Sequence, residues 1–266
     1  MSDMAFGHTL RGARAWLRLE AKATAAFRAQ LLVSLLGWVV PLAFMALWNT
    51  AAEGSGVMTP GQTTSYYLAQ LVATNLAIGT SLIYGLGYLV YTGEFARHLV
   101  MPYPSVLAAA AQPAAHSLIR SLPLVVIVPL LGWAMKAEFT TDPVAVVAAV
   151  ALFAVGLAAA TLAAVLWALA VLWFTKSDGV LSLFVGVNWV LAGFIAPSQF
   201  LPDWLAWTMR LSPLWAAQGG FGELLSGAVA PAWWMFAVNL AWIVVLSVLL
   251  RWLWPRALTR FEAVGQ

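Results

Sequence analysis

Between Glu53 and Glu94 the chain carries no charged side chain, and the apolar window inside that stretch centres on Leu71 to Leu89. A run of this kind is long enough to cross a bilayer as a helix, which needs roughly 20 apolar residues. In hydrocarbon every backbone N–H and C=O must be paired within the protein. The rest of the chain repeats the pattern. Over 266 residues it is 63% hydrophobic and 9% charged, with mean hydropathy +0.88. A soluble domain runs nearer 45–50% apolar and about 25% charged. The class is therefore an all-α polytopic membrane protein, with one membrane domain. The chain has no cysteine, which excludes a disulfide framework, a thiol nucleophile and a thiolate metal site.

Apolar segments predict six transmembrane helices, at about 31–48, 67–91, 114–135, 144–174, 180–195 and 233–253. The loop from Glu53 to Ser65 is rich in turn formers. Pro123 and Pro129 lie inside the third span and predict a kink there. Arg120 stands about six residues inside the start of that span, roughly 9 Å at the helical rise. It either snorkels to the headgroups or meets a buried partner.

Residues 1–30 read differently. Arg11, Arg14, Arg18 and Lys22 recur at helical spacing, beside an apolar stripe of Leu10, Ala13, Leu17 and Ala21 with Trp16 beyond it. That pattern predicts an interfacial helix, cations at the phosphates and apolar side in the acyl boundary. A span follows at once, which disfavours nucleic acid as the partner of this basic stripe. The basic region is too long for a signal peptide.

Charge fixes the orientation. With six spans and both termini on one side, that side holds eleven of the Lys and Arg residues and the other only two, Lys136 and Arg210. The carboxylates divide evenly, so the faces carry net +6 and −3. By the positive-inside rule the termini are cytoplasmic.

One apolar stretch resists reading as a helix. In Gly193 to Pro213, Pro197 and Pro202 each remove a backbone donor, while Asp203 and Arg210 interrupt the apolar run. It is either a re-entrant element packed against other helices or an amphipathic helix lying at the exterior headgroups.

Catalytic signals are sparse. Lys22, Lys136 and Lys176 all lack a preceding glycine, so the chain has no phosphate-cradling loop of the Gly-x4-Gly-Lys-Ser/Thr type. His8, His98 and His116 form no His-Glu-x-x-His zinc motif. Gly54-Ser55-Gly56 lies in an outer loop with no histidine on its side, so a serine protease is disfavoured. Glu94 and His98 are one turn apart and read as a solvated loop pair. Within the spans, Gln70, Asn75, Asn188 and Asn239 are neutral polar residues that either hydrogen-bond neighbouring helices or line a pathway. The sequence has no energy source of its own. Active transport would need a partner that supplies the work.

The order of features resembles the transmembrane subunits of ABC-2-type ATP-binding-cassette transporters, in the six-helix branch often found as paired permeases beside one ATPase. The residues that carry the resemblance span most of the chain. They are Phe27-Arg28-Ala29, the Gly93-Glu94-Phe95-Ala96-Arg97-His98-Leu99 loop followed by Pro102, and Gly193 to Pro197 with Phe200 and Pro202. Ser212-Pro213, Leu224 to Gly227 and the tail from Arg256 to Gly265 complete it. Met101 stands before Pro102 where the pattern usually has a basic residue, and the chain ends Gly265-Gln266 rather than in two glycines.

The resemblance implies a cytoplasmic interfacial helix at 1–30, a six-helix transmembrane domain at 31–254 and a cytoplasmic tail at 255–266. Within the domain, 92–104 would be a coupling loop, with Gly93, Glu94, Phe95, Arg97, His98 and Pro102 toward cytoplasmic ATPase subunits. Region 196–231 would be an exterior re-entrant hairpin and outer gate, with Pro197, Phe200, Pro202, Trp204 and Trp207. Trp204, Trp207 and Trp215 would sit at the outer headgroups. The chain itself would hold no cofactor, with ATP and Mg on the partner subunit. A second copy or a related permease would complete the pathway in a bacterial inner or plasma membrane. Export of an amphipathic or apolar cargo is the expected function. An importer-type, assembly or immunity permease of the same architecture is the alternative, followed by an intramembrane enzyme that works without an ATPase.

Overall fold

The computed structural model describes residues 36–99, 105–170 and 177–259, together with Lys22. Lys22 is helical and exposed. Arg11, Arg14, Trp16, Arg18 and the rest of the expected interfacial helix lie outside the described residues, as do Pro102 and the end of the tail. The described chain is helical, with no strand among the described residues.

Helix α1 (Val39–Ser55) follows a short 3-10 turn and ends at Gly56, whose left-handed φ of 65° closes it. Helix α2 (Pro60–Leu76) begins earlier than the turn-rich sequence suggests, because Thr59 and Gln62 form a reciprocal capping box with Pro60 at the first helical position. Such a cap satisfies two otherwise orphaned N–H groups. Helix α3 (Gly79–Tyr91) continues α2 after a break at Ala77, where the backbone turns extended. A five-residue helix α4 (Phe95–Leu99) follows.

Helices α5 (Ser105–Ser121) and α6 (Leu124–Ala134) are bent by 43° at a break next to Pro123, as the prolines of the third span predict. Helix α7 (Pro143–Ala170) is the hub. Its buried Ala145, Ala149, Leu152, Gly156, Ala159 and Ala163 recur every three or four residues, forming a face on which helices approach closely. Against α7 lie α3, α8 (Ser177–Leu191), α10 (Phe221–Leu225) and α11 (Trp233–Leu258). Helix α9 (Asp203–Arg210) comes between α8 and α10 in the chain.

By length and apolarity, Pro60–Val90, Pro143–Ala170 and Trp233–Leu258 can each cross a membrane, and the bent α5–α6 pair makes a fourth candidate. The first and fifth expected spans are represented by shorter segments. The apolar run of α1 extends in sequence into residues 31–35, outside the described region, and the apolar part of α8 is Ser182–Leu191. Outward faces are apolar: Val125, Trp133, Val147, Val244 and Val248 are exposed. Lipid is the solvent that suits such a surface.

Candidate functional site

The Gly193–Pro213 stretch opens a compact hairpin. Gly193 takes φ of 78°, a left-handed conformation that favours glycine, and a Cβ there would lie 2.6 Å from the Tyr66 hydroxyl. That hydroxyl donates to the Gly193 carbonyl. The Ile195 carbonyl accepts from Tyr67 Oη at 2.8 Å and from Trp48 Nε1 at 2.7 Å. The turn after α8 is therefore fastened to α1 and α2 by three side-chain donors. Phe200 stacks on Trp48 with ring centroids 5.0 Å apart. Pro197 precedes a 3-10 turn over Ser198–Phe200, and Pro202 precedes α9. Both prolines thus stand just before helical turns, where a missing N–H costs nothing.

The two arms of the hairpin are tied by charge. Glu223, on α10, is fully buried. Its Oε1 accepts from the Ser198 N–H at 2.9 Å and, at 3.5 Å, from Trp215 Nε1. Arg210, at the end of α9, donates Nε and Nη2 to Ser198 Oγ at 3.0 and 2.8 Å. Ser198 thus stands between a buried carboxylate and a guanidinium. A buried charge is tolerated only where hydrogen bonds and a counter-charge replace its water. Glu223 Oε2 has no hydrogen-bond partner among the described residues.

The far end of the hairpin reaches well into the helices. Ala216–Gly220 form a π-helical turn, and the Gly220 N–H reaches back to the Trp215 carbonyl at 2.9 Å. This turn lies against Gly156, where a Cβ would come within 2.5 Å of the Ala217 nitrogen. Gly156 is about 20 Å along α7 from Pro143 at 1.5 Å per residue. Nearby, Trp242 Nε1 donates to the Leu211 carbonyl at 2.7 Å. On the return, Thr140 donates its N–H to the Leu225 carbonyl at 2.8 Å, which brings the chain back to the N-terminal end of α7.

A polar cluster surrounds this far end. Gln218 Oε1 accepts from Gln70 Nε2 at 3.5 Å and Thr74 Oγ1 at 3.4 Å, and Gln218 Nε2 donates to Asn188 Oδ1 at 3.4 Å. Two of the intramembrane polar residues singled out in the sequence, Gln70 and Asn188, therefore meet through a third. Asn75 stands apart, accepting from Trp38 Nε1 at 3.2 Å, while its carbonyl accepts from Arg120 Nη2 at 3.3 Å. Asn239 bonds back to the Met235 carbonyl of its own helix.

The tryptophans do not share one environment. Trp204 and Trp207 are exposed, but Trp215 is fully buried and stacks on Trp234 at 6.0 Å. Trp215 is thus shielded by protein, whereas Trp204 and Trp207 are open to the surroundings. The Trp215 ring fills the core between the hairpin and α7.

At the other end of the α2–α3 crossing, Gly93 turns the chain with φ of 75° into α4. Phe95 is buried in the main core and meets the ring of Trp254 at 6.5 Å. Glu94 and Arg97 point outward and are exposed. The His98 side chain lies outside the described residues. One buried aromatic thus anchors a short helix that presents a guanidinium, with a carboxylate in the turn just before it.

A family model described as ABC-2 family transporter protein matches residues 58–265. The chain belongs to the ABC-2 transporter family. Comparison with curated proteins and with solved structures gives no match. This member of the ABC-2 family is a multi-pass membrane component of a transporter, consistent with a permease subunit. Gln218 and Glu223 are the site residues that sequence reasoning passed over. Their signal was present: Gln218 is a lone polar residue between alanines and glycines, and Glu223 a lone carboxylate between Phe221-Gly222 and Leu224-Leu225, in a stretch too apolar to be an ordinary loop.

Proposed function

We propose that the chain is the permease subunit of an ATP-driven exporter. Two permeases, identical or related, form the pathway on two cytoplasmic ATPase subunits that hold ATP and Mg. One observation carries this reading. The Pro60–Val90 crossing holds the hairpin through Tyr66, Tyr67 and Gln70, and leads directly into the exposed Glu94 and Arg97. A movement imposed on α4 is thus delivered along one crossing to the hairpin.

In this reading six helices span the membrane with cytoplasmic termini, α4 is the coupling helix, and the hairpin is re-entrant from the exterior. Its 14–20 Å reach along α11 and α7, counted at about 1.5 Å per residue from Trp233 to Trp242 and from Pro143 to Gly156, supports insertion over a flat interfacial position. The hairpin caps the exit between two subunits as an outer gate. The apolar and aromatic lining suits an amphipathic or apolar cargo.

The test is purification of the chain from its native membrane. A co-purifying ATPase is expected, and Glu94→Ala in the reconstituted complex lowers transport-coupled ATP hydrolysis while expression and assembly persist. Transport by the chain with no ATPase bound would overturn the proposal.

A further inference from the structure

We propose that the break at Ala77–Ile78 is a hinge in the Pro60–Val90 crossing, and that Arg120 of α5 is the positioning residue that clasps it shut. A helix that stops inside a membrane strands carbonyls at its end, where no water can pair them. Helix α2 rises about 24 Å from Pro60 to Leu76 and α3 about 18 Å from Gly79 to Tyr91, so the break lies well inside the crossing. Ala77 is extended there, with φ −70° and ψ 124°. The Asn75 carbonyl accordingly receives no backbone N–H among the described residues. It is paired instead by Arg120 Nη2 at 3.3 Å. A cation within an apolar helix needs a partner, and the C-terminal end of a helix supplies partial negative charge together with an acceptor. Asn75 is itself fixed on both sides. Its side chain accepts from Trp38 Nε1 at 3.2 Å and donates to the Leu71 carbonyl at 2.7 Å. One node thus joins the entry to α1, the end of α2 and α5.

The neighbours of the two halves differ, which is what a hinge requires. Helix α3 is seated on α7 and α8, where a Cβ on Gly79 would lie 3.2 Å from Ala164 and 3.3 Å from Phe184. Helix α2 is held by α1, through Asn49 on Thr64, and by the hairpin, through Tyr66 and Tyr67. Helix α5 packs on both halves. Beside Leu76 an open groove of about 440 Å³, walled by Leu118, Leu122 and Val125, leaves α2 room to swing. The hold is a single hydrogen bond, since Arg120 Nε has no partner among the described residues, and it is therefore reversible. With the clasp closed, the two halves turn as one lever between α4 and the hairpin. With it open, the break absorbs the movement, as element-terminal residues do in hinges. The consequence for coupling rests on the permease reading above, whereas the clasp itself does not.

The chain has no native cysteine, so paired labels report the hinge directly. Val57→Cys and Tyr88→Cys, at exposed positions on either side of the break, carry spin labels on the full chain in nanodiscs. Pulsed EPR reads the spread of distances between them. The parent should give one narrow distribution. Arg120→Met takes a charge out of an apolar helix and so should fold. It is expected to broaden the distribution roughly twofold as the hinge opens. Arg120→Gln, a second uncharged variant, should do the same, and Arg120→Lys, which keeps a cationic donor, should restore the narrow distribution. An unchanged width in both uncharged variants overturns the clasp, as does equal broadening in Arg120→Lys. In the complex reconstituted with its ATPase, labels at Tyr88 and at the exposed Trp204 of α9 read the hairpin. ATP should shift that distance in the parent, and Arg120→Met should lose most of the shift while ATP hydrolysis continues. A full shift in Arg120→Met overturns the role in coupling. If no ATPase associates, the permease reading fails, and the Val57–Tyr88 distances still decide the hinge.

Discussion

The residue on which the hairpin depends most is Glu223. Its carboxylate is the acceptor for the Ser198 N–H, and it faces Arg210 across the Ser198 side chain. Replacing it with alanine leaves a buried donor unpaired, at a cost of about 1–3 kcal/mol, and removes the counter-charge of Arg210. Glu223→Ala is expected to lower the thermal unfolding midpoint in detergent. Glu223→Gln, which keeps an acceptor oxygen, should fall between the parent and Glu223→Ala. Equal loss in both variants would show that charge, not hydrogen bonding, governs the site. Phe95 is the corresponding anchor at the other end. Phe95→Ala empties a fully buried position, a change that typically costs about 3–5 kcal/mol. The same melting measurement should therefore show a larger loss for Phe95→Ala than for Glu94→Ala.

Among the elements, α7 decides how deeply the hairpin sits. Gly156 permits the Ala216–Ala217 backbone to touch the helix, and any larger side chain must push it away. Overpacking of this kind typically costs about 1–3 kcal/mol. With Gly156→Val the hairpin should shift while α7 itself remains helical. Ala217 is buried, so an Ala217→Cys reporter is expected to resist a maleimide in the parent and to react in the Gly156→Val background. Unchanged protection would mean that the bundle absorbs the methyl groups elsewhere.

The whole molecule has an electrostatic direction. Its charge asymmetry places Val57 outside and Ala96 inside if six spans cross the membrane. Both residues are exposed. In intact cells a Val57→Cys chain should label with a membrane-impermeant maleimide, and an Ala96→Cys chain only after permeabilisation. Labelling of both from one side would require an even number of crossings between them and contradict the proposed topology. At the same scale, the exposed apolar faces of α6, α7 and α11 are what a lipid-embedded body requires.

The sequence alone determined the class, the helical character, the proline bend of the third span and the family. Each depends on local composition or on spacing along one helix, and the hydrophobic effect acts on such patterns wherever the chain goes. It also marked Gln70, Asn188, Arg210 and the broken stretch after α8 as exceptional. It did not show that Gln70 and Asn188 share Gln218, nor that Arg210 and Glu223 meet on Ser198. It did not show that Trp215, unlike Trp204 and Trp207, is buried in the core. Those facts depend on residues far apart in sequence being brought together around α7, where small side chains let backbones touch. Such contacts have no periodic signature, because they are set by the shape left between packed helices. Only the tertiary structure decided them.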